Sequence, residues 1–135
     1  MTATSLPPAA PSRAAKFTSW GLRIFAAAAF LAAGGAKLVG VPMMVETFDH
    51  IGIGQWFRVV TGLVEVVGGV AILVPATAAL GGLLLAITML FAVLIHLFVI
   101  GGSAVPAIVL LAITATVFWL HRGSVTATLN RSQRA

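Results

Sequence analysis

The chain has 135 residues, 60% of them apolar and 8% charged, and its mean hydropathy of +1.11 exceeds what a water-soluble domain of this size can bury. The net charge of +5 comes from eight bases scattered singly through apolar sequence, not gathered in the stripe that tracks phosphates, which argues against nucleic acid as a partner. Cysteine is absent, so a disulfide, a thiolate-held iron–sulfur cluster and dithiol exchange are excluded, and any redox role requires a bound cofactor or a partner.

Four spans of about 20 residues account for nearly all of the apolar content, which predicts an all-α integral membrane four-helix bundle. Residues 1–19, rich in Ala, Pro, Ser and Thr and without apolar periodicity, read as a flexible cytoplasmic tail. Trp20 to Val39 is long enough to cross a hydrocarbon core of about 30 Å. A signal peptide is the competing reading of this stretch. The long, Pro-rich tail ahead of it favours an uncleaved anchor.

Val41 to Ile51 is too short to cross. It places Val41, Met44, Val45, Phe48 and Ile51 on one helical side and Glu46, Asp49 and His50 on the other, with Pro42 in the first turn. It reads either as a short amphipathic helix, lying in the interface or tucked back as a partial lid, or as a solvated loop. Further spans follow at Phe57–Val74, Ala78–Ile100 and Ala104–Leu120, joined by links short enough to make neighbours antiparallel. Residues 20–120 thus form the transmembrane domain, and 121–135 a second cytoplasmic tail.

Arg13, Lys16, Arg23, Arg122, Arg131 and Arg134 lie toward the terminal side, against Lys37 and Arg58 around the first loop. The excess of bases predicts both termini in the cytoplasm. Trp20, Trp56 and Trp119 all fall at predicted span ends, where an indole bridges apolar and polar layers.

Ionisable groups within spans are costly in hydrocarbon and are therefore functional candidates. At 100° per residue, Arg23, Ala27, Phe30, Gly34 and Lys37 share one face of the first span, with Ala28, Ala32 and Ala36 on a separate small-residue stripe expected to pack. Arg23 is expected to snorkel into headgroups. Arg58, Gly62, Glu65 and Gly69 share a face of the second span, and Gly82, Leu85, Met89, Ala92 and His96 a stripe of the third. Glu65, Lys37, His96 and Arg58 are therefore predicted to meet in a polar pocket leaning toward the outer side. In it Glu65 would accept a proton or hydrogen bond, His96 would donate or relay one, and Lys37 and Arg58 would steady negative charge. The competing reading pairs Glu65 with Lys37 as a buried ion pair that fixes packing, and leaves His96 as a neutral histidine bonded to a nearby acceptor. Zinc spacing, a phosphate-binding glycine loop and paired haem-ligating histidines are not visible, and the Gly-Gly pairs read as close-packing points.

The pattern resembles the DoxX-like family of small four-span membrane proteins over roughly Leu22 to Ala112. The resemblance is carried by Arg23, Phe30 and Gly35 ahead of Lys37-Leu38, by Phe48 before Gly52-Ile53, and by Gly62 through Glu65 to Gly68-Gly69 with Leu73 and Pro75. Met89, Ala92 and His96 extend it. Gly54 departs from the proline that often follows the Gly-Ile pair. The resemblance implies a four-helix fold in a bacterial-type inner membrane. Some relatives are linked to sulfur-compound oxidation that delivers electrons to quinone, and others to membrane oxidoreductase or receptor assembly. Expected partners are the lipid bilayer, a membrane or peripheral oxidoreductase, and a second copy of the chain, with quinone as the suggested ligand. A noncatalytic assembly role is the alternative, and small-molecule transport a weaker one.

Overall fold

The computed structural model describes residues 6–7 and 9–135. Five α-helices follow in order: α1 (Arg13–Val39), α2 (Pro42–Ile51), α3 (Gln55–Leu73), α4 (Ala78–Ile95) and α5 (Val105–Ser132), with a π-helical turn, His96–Ile100, closing α4. α1, α3, α4 with its π turn, and α5 are long and apolar enough to cross a membrane. α1 packs on α3, α3 on α4 and α4 on α5, and a lighter α1–α5 contact completes the ring. The chain is an all-α bundle of four candidate spans with one short amphipathic helix inserted after the first.

The ends of the outer helices differ from the predicted limits. α1 begins at Arg13 rather than Trp20, because Ser12 accepts a hydrogen bond from the Ala15 amide at 3.1 Å and so caps a run of good helix formers. Of the expected tail, residues 1–5 and 8 lie outside the described residues, and 13–19 are helical. α5 continues past Leu120 to Ser132. Ser124, Thr126 and Thr128 turn their hydroxyls back onto carbonyls three or four residues earlier, which removes their competition with the helical backbone.

The core is thin and mixes alanines with a few large apolar side chains. Ala26, Ala27 and Phe30 of α1 meet Ile72 of α3, Leu85, Met89 and Val93 of α4, and Val117 of α5. Large apolar side chains such as Phe25, Val67, Phe91 and Ile108 point outward and are exposed, the arrangement that lipid, not water, rewards. Glycines set the spacing. A Cβ on Gly68 would stand 2.6 Å from a Leu85 methyl, one on Gly81 2.8 Å from the Ile72 amide nitrogen, and one on Gly82 2.9 Å from the Phe118 nitrogen. Gly68, Gly81 and Gly82 therefore act as the close-packing points expected of them. On α1 the assignment of faces reverses. The side carrying Arg23, Ala27, Phe30 and Gly34 is buried, while Ala28 and Ala32 are exposed. The polar side packs because its charged groups find partners on α3.

α2 is a helix rather than a loop. Pro42 stands at its first position and Gly52 ends it at φ 79, a left-handed conformation natural to glycine. Phe48 is buried and its ring lies 5.7 Å from that of Phe57, which ties α2 to α3. α2 also packs on the π turn at the end of α4.

Candidate functional site

α1 and α3 cross at Gly34 and Gly62. A Cβ on Gly34 would come within 2.8 Å of the Gly62 carbonyl oxygen, and one on Gly62 within 3.0 Å of the Gly34 oxygen. The two helices run antiparallel, so Glu65 packs over Gly34 and Lys37 over Gly62, each with its Cβ 3.1 Å from the position a Cβ on the facing glycine would take, and the flexible lysine side chain reaches back across the crossing. Lys37 Nζ lies 2.8 Å from Glu65 Oε2, with the carboxylate side chain 3% and the lysine side chain 13% exposed. The predicted meeting of Lys37 and Glu65 is thus direct, and its cause is glycine contact.

Arg58 joins the same cluster one level outward. Its Nη1 donates to the Lys37 backbone oxygen and its Nε donates to Gln55 Oε1 at 2.5 Å. Gln55 in turn donates through Nε2 to Asp49 Oδ1 at 2.6 Å and to the Val45 carbonyl at 3.0 Å. A file of polar contacts therefore runs from Asp49 on α2, through Gln55 and Arg58, to the last turn of α1, where Lys37 reaches Glu65. Gln55 is a member that sequence reasoning did not single out. Its signal was its place three residues before Arg58, on the same side of α3.

His96 stands apart. Its Nδ1 donates to the Gly101 carbonyl at 3.2 Å, within the π turn and the loop that follows, and no hydrogen bond or ion pair joins it to Glu65, Lys37 or Arg58 among the described residues. His96 itself continues the α-helix, its amide bonded to the Ala92 and Val93 carbonyls, but α4 packs chiefly on α3 and α5 while Lys37 and Glu65 meet between α1 and α3, and Gly101 and Gly102 at φ 70 and 76 turn the chain back toward the His96 ring. Surface depressions lie elsewhere among the described residues. One is lined by Arg13, Lys16, Phe17 and Trp20, another by Met43, Glu46, Thr47, His50 and Ile100, and none of the four predicted site residues lines either.

Arg23 corrects a sequence expectation. It does not snorkel: it is 2% exposed, donating from Nε to the Ile72 carbonyl at 2.6 Å and from Nη2 to the Leu73 carbonyl at 2.7 Å. Both acceptors belong to the last turn of α3, whose carbonyls have no helical partner and carry the negative end of the helix dipole. Trp20 covers the guanidinium, whose carbon is 4.0 Å from the ring centroid. Pro75, which stops α3, is the feature that exposes those carbonyls to Arg23.

The model of the family described as the DoxX-like family matches residues 21–129. The chain belongs to the DoxX-like family. Comparison with curated proteins and with solved structures gives no match. The matched stretch of this DoxX-like protein contains all four candidate spans in whole or large part, and with them Arg23, Lys37, Arg58, Glu65 and His96. In this DoxX-like chain the Lys37–Glu65 pair bridges α1 and α3 near one face of the bundle, and Arg23 bridges the same two helices near the other.

Proposed function

We propose that this protein is a membrane-embedded anchor subunit of a redox-linked assembly in a bacterial-type inner membrane, with both termini cytoplasmic. The Lys37–Glu65 pair is the lock that holds its first two spans in register. The observation that carries the lock is the 2.8 Å contact directly beside the Gly34–Gly62 crossing. A carboxylate answered by its own lysine at such a crossing has its charge met within the protein, and an intramembrane ion pair of this kind specifies one packing of two helices over its alternatives. The redox link rests on the family resemblance, and the orientation on six bases toward the terminal side against two around the first loop.

A second reading makes the Lys37–Glu65 pair a site for a quinone, with Glu65 accepting a proton or hydrogen bond from its reduced form and Lys37 steadying negative charge. The file from Asp49 through Gln55 and Arg58 to Lys37 favours it, because it connects the exposed side of α2 to the buried carboxylate. Mass spectrometry of gently extracted protein, unaltered and as Glu65→Gln, separates the two. The anchor reading expects a protein partner, and no small molecule whose occupancy falls with the carboxylate in folded protein. A quinone lost from well-folded Glu65→Gln protein establishes the second reading instead.

A further inference from the structure

We propose that Arg13, Lys16, Phe17 and Trp20 form a binding site for an anionic glycerophospholipid of the surrounding bilayer, the phosphate held by the two bases and an acyl chain laid along the two rings. These residues recur at intervals of three and four along α1 and line one open, shallow face of the helix. All are exposed. The order along the helix matches the layers of a membrane: bases first, then Phe17 and Trp20 toward the span.

Three independent features favour this ligand. First, the charge is segregated. Glu46, Asp49 and Glu65, the three acidic side chains of the sequence, lie in α2 and α3, while Arg13, Lys16, Arg122 and Arg131 occupy the projecting parts of α1 and α5, and Arg134 follows the end of α5. Those projections share one face of the bundle, since Ser19 Oγ donates to His121 Nε2 at 3.4 Å. Phosphate there meets no carboxylate. Second, α1 has 27 residues, hence about 40 Å of length at 1.5 Å per residue, against a hydrocarbon core of about 30 Å. Its first turns therefore stand at headgroup level. Third, Trp20 is fixed in place. Arg23, itself tied to the Ile72 and Leu73 carbonyls, stacks against the indole at 4.0 Å and leaves the ring a rigid wall for a lipid chain.

Brominated lipids that quench tryptophan test the site. The variant Trp56→Phe/Trp119→Phe leaves Trp20 as the reporter and alters neither base. It is reconstituted into phosphatidylcholine vesicles containing increasing fractions of brominated phosphatidylglycerol or brominated phosphatidylcholine. The expected result is half-maximal quenching at a roughly 25-fold lower fraction of the brominated anionic lipid, with the preference falling about fivefold for each base removed in Arg13→Gln and Lys16→Gln. Arg131→Gln/Arg134→Gln, outside this face, keeps most of it, and 10 mM inorganic phosphate leaves it standing. Equal quenching by the two lipids overturns the proposal, as does a preference that survives Arg13→Gln/Lys16→Gln. Loss of the preference on adding inorganic phosphate also overturns it, because the site then takes a free phosphate and not a lipid.

Discussion

Gly34 and Gly62 face each other across the α1–α3 crossing so closely that a methyl group on either would strike the carbonyl oxygen of the other. This approach brings Lys37 within 2.8 Å of Glu65 and makes the ion pair a consequence of backbone packing. Helices in lipid gain little from burying apolar surface against one another, so close backbone contact and polar bridges supply the specificity. α1 and α3 have both.

Gly34→Ala and Gly62→Ala are expected to lower stability by roughly 1–3 kcal/mol, the usual cost of overpacking. Gly35→Ala, where nothing lies within 4 Å of the added methyl, is expected to be neutral or slightly stabilising. Thermal unfolding of the three variants in one detergent checks the contrast. Equal losses at Gly34 and Gly35 would deny the crossing its role.

Lys37→Met removes the partner of a buried carboxylate and is expected to cost roughly 3–5 kcal/mol, the typical price of breaking a buried pair from one side. Lys37→Met/Glu65→Leu, which removes both charges and fills the space, is expected to recover most of that loss. A double-mutant cycle on unfolding free energies reads the coupling, and additive effects would contradict the lock.

Arg23→Met leaves two carbonyls at the end of α3 without their donor. Hydrogen bonds to a charged group contribute about 1.5–3 kcal/mol each, so the loss is expected to exceed that of Arg122→Met, whose guanidinium stacks on the exposed Trp119. Amide hydrogen exchange in the last turn of α3 is expected to quicken in Arg23→Met and to stay unchanged in Arg122→Met.

Arg58→Ala cuts the file between Gln55 and the end of α1. Faster exchange is expected through α2 and the segment 52–54, with α4 and α5 unaffected. His96→Ala is expected to disturb the π turn and its loop while leaving the stability of the α1–α3 pair intact, since its contact is the Gly101 carbonyl. A loss at His96 as large as that at Lys37 would place His96 in the same cluster after all.

Much of this was legible in the sequence, for reasons that differ by residue. The spans declare themselves because hydrocarbon admits long apolar helices and little else. Pro42, Gly52 and Pro75 mark where helices start or stop, since each acts through its own backbone. Lys37 and Glu65 were legible as a pair because intramembrane charges must be answered and few groups were present to answer them. Arg23 was misread because its partners are backbone carbonyls, which every residue carries and no side-chain pattern reveals. His96 stands apart from Lys37 and Glu65 because periodicity within one helix shows which residues share a face and not which helix that face adjoins, and α4 packs chiefly on α3 and α5 while the pair forms between α1 and α3. The helical extensions at Arg13 and beyond Leu120 escaped notice because hydropathy marks where lipid ends, not where a helix ends.

The central claim, that Lys37 and Glu65 lock a scaffold, is tested most directly by isolating folded Lys37→Met/Glu65→Leu protein from membranes and measuring by mass spectrometry the proteins and lipophilic molecules that come with it. The account predicts the same partner complement as the unaltered chain, because apolar side chains of similar volume beside the Gly34–Gly62 crossing replace the pair's packing role while removing its charges. Well-folded double variant stripped of a molecule that the unaltered chain retains would contradict it and make the pair a binding site.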